Sequence, residues 1–316
     1  MTGPVIGVGV PVWRGAGFVA ETLESVLNQR GVRLKLFISI DGADADSERA
    51  CLPFASDSRV RLVVQARRLG WVKNTAAVLA GASEQAEFVC VQPHDDLVEK
   101  DYLATLLDAA RDHPHAAVVF SDLATFGTAE GVFSQESVIG TPMERQLLLL
   151  TRHFGAVAYR GLNRTSALKV VPPISGNNHR DFACDTVWMA RVARAGDLVR
   201  VPRVLYHKRL HPTSSHAEWA TWDRWQKGSA WVGHCLDMLA EALMVATSSE
   251  ERQLLIDAAR GRLWATHNPH QLSYGIRDLS RMKRWALRMA FEGRAAIRSD
   301  IRPLAFRGIK KILLPA

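Results

Sequence analysis

Two adjacent carboxylates, Asp95 and Asp96, directly follow an apolar run in the first third of the chain. Carboxylate oxygens are hard ligands of the kind that Mg²⁺ and Mn²⁺ bind in proteins. A divalent ion held there could neutralise a departing phosphate and act as a Lewis acid. The same pair would also suit the first turn of a helix, because Asp caps helices and complements their dipole. By itself the pair leaves both interpretations open.

Other polar residues stand after apolar runs in the same way. Pro11-Val12 follows the first run, Asp41-Gly42 follows the second, and Lys73 comes shortly after the third. Asp-Gly is a common turn pair, and a lysine at such a position is often only a solvated charge. Each residue therefore has an ordinary structural explanation as well as a functional one.

The elements that must position these residues alternate between strand-like and helix-like patterns, which predicts parallel βαβ units in an α/β sheet. Ligands of such sheets bind beyond the carboxyl ends of the strands, where the polar residues above stand. The predicted strands are Val5–Val10, Leu34–Ile40, Val60–Gln65, Glu87–Gln92 and Ala116–Ser121. The predicted helices between them are Phe18–Arg30, Val72–Gln85 and Tyr102–Asp112.

The order and spacing of these motifs resemble a family-2 glycosyltransferase with the GT-A fold. The resemblance rests on Pro11-Val12-Trp13, on Asp41-Gly42, on Arg68-Leu69-Gly70 with Lys73-Asn74, and on His94-Asp95-Asp96, and it covers roughly residues 5–215. It implies a Rossmann-like, mostly parallel sheet flanked by helices. It also implies an inverting transfer of sugar from a nucleotide-sugar donor, which we expect to be UDP-linked, with Mn²⁺ or Mg²⁺ as cofactor.

The resemblance also implies roles for residues on the donor side. Asp96 would contact the metal and Asp95 the donor ribose or sugar, while Pro11 and Val12 belong to the donor loop. Asp41 corresponds to a carboxylate that binds the base or ribose, and Lys73 stands where the family usually has Arg. In the later segment Leu205–Ser214, Arg209 would clamp phosphate oxygens and His211 would contact the metal or a phosphate. The family's earlier acidic position is Pro93-His94 here, which departs from a full D-x-D motif.

On the acceptor side the resemblance implies that Asp185 is the general base. Asp185 precedes Arg191 by the family's spacing, although Cys184 replaces the Glu that usually comes before it. Asp181, four residues earlier and expected on the same helical face, is the competing candidate. A carboxylate at the start of a helix is the structural alternative for Asp185.

Charge and composition limit the partners. The chain has 40 Lys and Arg against 32 Asp and Glu. Residues 275–316 hold eleven of those basic residues and three of the acidic ones, so the remaining 29 basic and 29 acidic residues balance. No nucleic-acid partner is therefore expected. The four cysteines form no CxxC pair, and a reduced cytoplasmic location is expected, with the inner membrane face as an alternative.

The expected organisation is a catalytic domain over residues 1–212, with a donor half of about 1–125 and an acceptor half of about 126–212. Residues 213–316 are predicted to be helical, in segments Trp219–Leu243, Glu250–Trp264 and Arg277–Ile297. In the last segment Leu279, Met282, Ala286, Met289, Ala290 and Ile297 share a face opposite Arg277, Arg281, Arg284 and Arg288. Such a helix could rest on anionic lipid or pack on the catalytic domain. The helical region could also support a homo-oligomer.

Two rival functions remain at this point, a nucleotidyltransferase and an inactive binding protein. A nucleotidyltransferase would normally show a Gly-rich phosphate loop after the first strand, which Pro11-Val12-Trp13 does not begin. A dehydrogenase is not expected, because Gly7-Val8-Gly9 lacks the third glycine of its motif. A catalytically inactive nucleotide-sugar-binding protein fits the replacements at Pro93-His94 and Cys184. The acceptor could be a carbohydrate, a lipid-linked glycan or a small molecule.

Overall fold

The structure is a computed structural model that describes residues 3–152, 155–264 and 279–298. Its strands are β1 (Val5–Val12), β2 (Arg33–Ile40), β3 (Val60–Val64), β4 (Phe88–Val91), β5 (Leu97–Val98), β6 (Ala116–Gly127), β7 (Gly131–Phe133), β8 (Leu162–Arg164) and β9 (Asp197–Leu210). Its helices are α1 (Val19–Leu27), α2 (Ala45–Cys51), α3 (Trp71–Ser83), α4 (Tyr102–Asp112), α5 (Pro142–Thr151), α6 (Thr165–Lys169), α7 (Cys184–Val192), α8 (Ser215–Ala220), α9 (Arg224–Leu243), α10 (Ser249–Trp264) and α11 (Arg281–Arg298).

The described strands form one sheet in the order β3-β2-β1-β4-β8-β6-β9-β5, with β7 paired to β6. In the amino-terminal half β1 lies parallel to both β2 and β4, and β2 lies parallel to β3. Strands β1, β2 and β4 are largely buried, which explains why they read as nearly continuous apolar runs in the sequence. The predicted α/β class is confirmed, and the carboxyl ends of β1, β2 and β4 lie at one edge.

The second half of the sheet mixes directions. The long strands β6 and β9 run parallel, while β8 pairs antiparallel with both β4 and β6. The predicted strand Ala116–Ser121 ended too early, because β6 continues to Gly127 alongside β9. Strand β9 was not predicted at all. Strand β9 contains several charged residues, is only partly buried, and lacks a regular alternation of apolar and polar residues. Its sequence therefore gave no clear strand signal.

After Leu210 the described elements are the helices α8, α9, α10 and α11, joined by turns. The single predicted helix Trp219–Leu243 was wrong, because α8 ends before Asp223 caps a new helix, α9. Asp223 accepts a hydrogen bond from the Gln226 backbone, and the Gln226 side chain accepts one from the Asp223 backbone. Helices α9 and α10 share one apolar core with α5 and α7. The boundary near residue 212 stays a prediction.

Helix α11 packs on α9 through an apolar face made by Leu287, Phe291 and Ala295. These residues recur every four positions and therefore lie on one side of the helix. Of the apolar face that the sequence placed around Met282, Leu279 is buried whereas Met282 is 76% exposed. The packing alternative therefore does not hold for Met282. Arg277, the Ile297 side chain and the Asn268-Pro269 break lie outside the described residues.

Candidate active site

Pro11 and Val12 are the last two residues of β1, at the carboxyl edge of the sheet, whereas the sequence had placed them in the loop after the strand. Pro11 is partly exposed, and its carbonyl accepts a hydrogen bond from His94 Nδ1 at 3.1 Å. Gly15 allows this close approach, because a Cβ there would come within 2.5 Å of the His94 ring. The Val12 side chain is fully buried, so it contributes to the core of β1. A donor contact of Pro11 or Val12 stays a prediction.

Asp41 also lies at this edge, directly after β2, and only 1% of it is exposed. Its two carboxylate oxygens accept hydrogen bonds from the backbone of Leu69 at 2.5 Å and of Gly70 at 3.0 Å. Both contacts hold the loop that starts α3 against the end of β2. Lys73 lies on α3 with an exposed side chain and forms no hydrogen bond or ion pair within the described part of the chain. The donor-binding roles of Asp41 and Lys73 stay predictions.

Asp96 is the centre of a buried polar network. Its Oδ2 accepts hydrogen bonds from the Tyr206 hydroxyl at 2.8 Å and from Arg160 Nε at 3.3 Å. Its Oδ1 accepts one from the backbone of Arg209 at 2.9 Å. Burial raises the pKa of Asp96 above its usual value, against the opposing charge of Arg160. The short strand β5, which follows Asp96 directly, pairs with Tyr206 and His207 and so fixes these distances.

Asp95 points to a different set of partners. Its Oδ2 lies 2.8 Å from His211 Nε2, and its backbone carbonyl accepts a hydrogen bond from Arg209 Nε at 3.0 Å. The Arg209 guanidinium lies 4.5 Å from the ring centre of Phe126 and 5.1 Å from that of Phe18. The side chains of Asp95 and His211 are 18% and 15% exposed, in contrast to buried Asp96. Asp95, Arg209 and His211 therefore present polar atoms at the edge of the sheet.

The donor atoms available to a divalent ion can be compared directly. The described residues hold no cluster of three or more His, Cys, Asp or Glu side chains suited to a metal. Asp96 accepts three protein hydrogen bonds, whereas Asp95 and His211 offer one carboxylate and one imidazole in direct contact. Mg²⁺ commonly takes only one or two protein ligands and completes its shell with substrate phosphates and water. The residues thus fit such an ion best at Asp95 and His211. The assignment of Asp96 to the metal stays a prediction.

Lys208 lies among these charged groups. Burial and the repulsion of Arg160 lower its pKa to about 8, while Asp96, Asp185 and Asp95 act in the opposite direction. Asp185 also acts on the charge of Arg160. Asp185 and Asp96 are therefore both close enough to Lys208 and Arg160 to act on their charges. The structure brings together residues that stand about ninety positions apart in the sequence.

Asp185 is held by the start of α7. Its Oδ1 accepts a hydrogen bond from the Thr186 backbone at 2.8 Å, and the side chain is partly exposed. Helix α7 begins only at Cys184, so the prediction that Asp181 shares a helical face with Asp185 was wrong. Asp181 has a backbone φ of 58°, and its Oδ1 accepts a hydrogen bond from the Asn177 backbone at 3.1 Å. Asp181 therefore closes the turn that precedes α7.

No individual role was predicted from the sequence for Arg160, Tyr206 or Lys208. A strand pattern through Leu205-Tyr206-His207-Lys208 would have placed Tyr206 and Lys208 on one face. That signal was missed because β9 was not recognised as a strand. Arg160 gave no comparable signal, since its contact with Asp96 bridges 64 positions and depends on the tertiary fold.

The architecture resembles known sugar-transferring enzymes with the GT-A fold. A structure of Staphylococcus aureus TarS residues 1–349 in complex with UDP-GlcNAc superposes with a TM-score of 0.67 at 14% identity, over 94% of this chain and 83% of that one. The mannosyltransferase PcManGT from Pyrobaculum calidifontis, in complex with GDP-Man and Mn²⁺, gives 0.52 at 17% identity, over 94% and 86%. These similarities confirm the predicted GT-A fold class.

The sequence carries the relationship further. The profile of Glycosyl transferase family 2 matches residues 8–170, which is slightly more than half of the chain. The chain therefore belongs to this family. It is also 22% identical over 219 residues to chondroitin synthase from Escherichia coli, covering 66% of this chain and 29% of that protein. It thus spans less than a third of that relative. No described helix has both the length and the apolar composition needed to span a bilayer.

Proposed function

We propose that this protein transfers a sugar from a nucleotide-sugar donor to an acceptor hydroxyl with inversion, and we expect a UDP-linked donor. The observation that carries the proposal is the network in which Asp96 binds Arg160 and Tyr206 while Asp95 contacts His211. Asp185 lies close enough to this network to act on the charges of Lys208 and Arg160. A candidate base and a candidate diphosphate site are therefore neighbours. The donors bound to TarS and PcManGT support a nucleotide-sugar of this general type.

On the donor side we place the diphosphate near Arg209 and Lys208. Arg209 is a planar, permanently charged group that suits phosphate oxygens, and its two aromatic neighbours limit its movement. Its Nη2 donates a hydrogen bond to the exposed carboxylate of Glu21 at 2.5 Å, and an incoming phosphate would replace that carboxylate. A divalent ion bound by Asp95 and His211 would supply Lewis-acid stabilisation of the leaving diphosphate.

On the acceptor side Asp185 takes the proton. The acceptor oxygen forms a bond to the anomeric carbon while the bond from that carbon to the diphosphate oxygen breaks. The electron pair of the broken bond leaves with the diphosphate, and the acceptor proton passes to the Asp185 carboxylate. Attack opposite the leaving group inverts the anomeric centre, so one carboxylate suffices. Asp181 is less suited, because its Oδ1 closes the turn before α7.

Calorimetry with UDP-GlcNAc, other UDP-sugars and GDP-mannose, each with Mn²⁺ or with EDTA, tests donor binding. We expect a UDP-sugar to bind, and to bind more tightly with Mn²⁺ or Mg²⁺. Equal affinity in EDTA would reject the metal, and a preference for GDP-sugars would reject only the expected base. Release of free nucleotide in the presence of acceptors tests turnover. A protein that binds donor without any turnover would match the inactive binding protein instead.

A further inference from the structure

Helix α11 is apolar on two opposite sides. The inner side, Leu287 and Phe291, packs on α9. The outer side carries Met282, Trp285 and Met289, which follow one another at helical spacings of three and four. The side chains of Met282 and Trp285 are 76% and 59% exposed, and both are large apolar groups. The protein thus keeps one apolar face of α11 in its core and leaves the other outside.

Basic residues accompany this outer face. Arg281, Lys283 and Arg288 are exposed, and Arg281 and Arg288 form no ion pair in the part of the chain that the structure describes. Glu292, which is the acidic residue within α11, binds Arg260 of α10 at 2.8 and 3.0 Å. The carboxylate of α11 is therefore already engaged with another helix. The outer face combines exposed apolar groups with a surplus of positive charge.

The chain beyond α11 continues the same chemistry in its sequence. After Asp300 there is no further acidic residue, and four basic residues follow: Arg302, Arg307, Lys310 and Lys311. The same stretch holds seven large apolar residues: Ile301, Leu304, Phe306, Ile309, Ile312, Leu313 and Leu314. All of the surplus positive charge of the protein lies from residue 275 onward, whereas the body is neutral. In the sequence, this charge is therefore concentrated in α11 and in the residues on either side of it.

We propose that the outer face of α11 docks on an anionic lipid surface, with Met282 and Trp285 entering the interface and the flanking arginines binding headgroups. Trp favours the boundary between headgroups and acyl chains, and basic residues beside an amphipathic helix are attracted to anionic lipid. The docking holds α11 against the bilayer through one side while α9 holds it through the other. This inference does not depend on the proposed sugar transfer.

Flotation of the full chain with vesicles tests the docking. Phosphatidylcholine vesicles containing about one third phosphatidylglycerol should bind the protein at low salt, and pure phosphatidylcholine vesicles should bind it much less. Raising the salt to about 1 M shortens the Debye length to about 3 Å and so screens the attraction between the basic residues and the lipid. Most of the bound protein should then be released. Absence of binding to the anionic vesicles, or equal binding to both kinds, would overturn the proposal.

Substitutions on the outer face of α11 test whether this face binds the lipid. The double variant Met282→Asp with Trp285→Asp should lower the partition coefficient of the protein onto anionic vesicles about tenfold, because two apolar groups are lost and two negative charges are added. Arg281→Gln with Arg288→Gln should lower it by about fivefold per residue at low salt. Met244→Asp is the matched control, since Met244 is 71% exposed at the end of α9, and it should bind as the wild type does.

Each variant should keep the circular dichroism spectrum of the wild type, because the replaced side chains are exposed. Binding by the Met282 and Trp285 variant at the wild-type level would show that another segment holds the lipid, and would refute the assignment to α11. Sedimentation without lipid tests the alternative that a second copy of the chain binds the outer face of α11. A dimer that dissociates on Trp285→Asp, in a protein that does not bind vesicles, would identify the face as a contact between two copies instead.

Discussion

Replacement of Asp185 by Asn tests the proposed base with the least change to the structure. The amide oxygen of Asn can still accept the hydrogen bond that Thr186 now donates to Asp185 Oδ1. The stability loss should therefore be limited to the charge at the start of α7, about 0.3–1 kcal/mol. A missing general base instead lowers the rate by about 10²–10⁴-fold, which corresponds to about 3–5 kcal/mol of transition-state stabilisation.

The assay is initial-rate sugar transfer at saturating donor, with donor affinity measured separately by calorimetry. We expect the rate to fall by at least about 10²-fold while donor affinity stays unchanged or rises slightly. A rise is possible because the substitution removes a negative charge that acts on Lys208 and Arg160. Such a split between rate and affinity would not follow from general unfolding.

Asp181→Asn is the matched control. It keeps an oxygen for the Asn177 backbone and lies four residues from Asp185, so its transfer rate should stay near that of the wild type. Near wild-type transfer by Asp185→Asn would refute the assignment. If Asp181→Asn were the inactive variant, the base would be Asp181. A product that retains the donor's anomeric configuration would exclude direct displacement.

Three further outcomes are expected. If charged Lys208 binds the diphosphate, kcat/KM should fall as the pH rises through about 8, where Lys208 loses its proton, and Lys208→Arg should move this limb to higher pH, as a pH–rate profile would show. Asp96→Asn should destabilise the fold by about 3–5 kcal/mol in denaturant titration, because it leaves the buried Arg160 charge without its carboxylate, whereas Asp95→Asn should not. EDTA should abolish transfer, and His211→Ala should weaken Mn²⁺ binding, measured with donor present, more than it weakens nucleotide binding without metal.

The sequence located most of the donor edge because buried parallel strands leave a strong local signal. Strands β1, β2 and β4 read as apolar runs, and the polar residues after them had to meet at one edge. The positions of Pro11, Asp41 and Asp95 follow from that pattern alone. No long-range information was needed.

The different environments of Asp95 and Asp96 could not be predicted in this way, because the two residues are identical in type and adjacent in sequence. What separates them is the pairing of β5 with β9, more than 100 positions later, which encloses Asp96 with Tyr206 and leaves Asp95 beside His211. A long and partly charged strand such as β9 has no clean local pattern, so the sequence could not supply this contact. For α11 the sequence left open whether its apolar face rests on lipid or packs on the catalytic domain, because the pattern does not show which side meets α9.

The buried position of Asp96 has a consequence for the chemistry proposed at the edge. Arg160 is bound to Asp96, the charge of Asp185 also acts on it, and its side chain is only 13% exposed. A charge held in so little water acts strongly on its neighbours. It partly offsets the repulsion between the proposed base and the incoming diphosphate. Asp96 would then serve catalysis without touching the donor, because it fixes the cation that allows a negative base and a negative leaving group to work side by side.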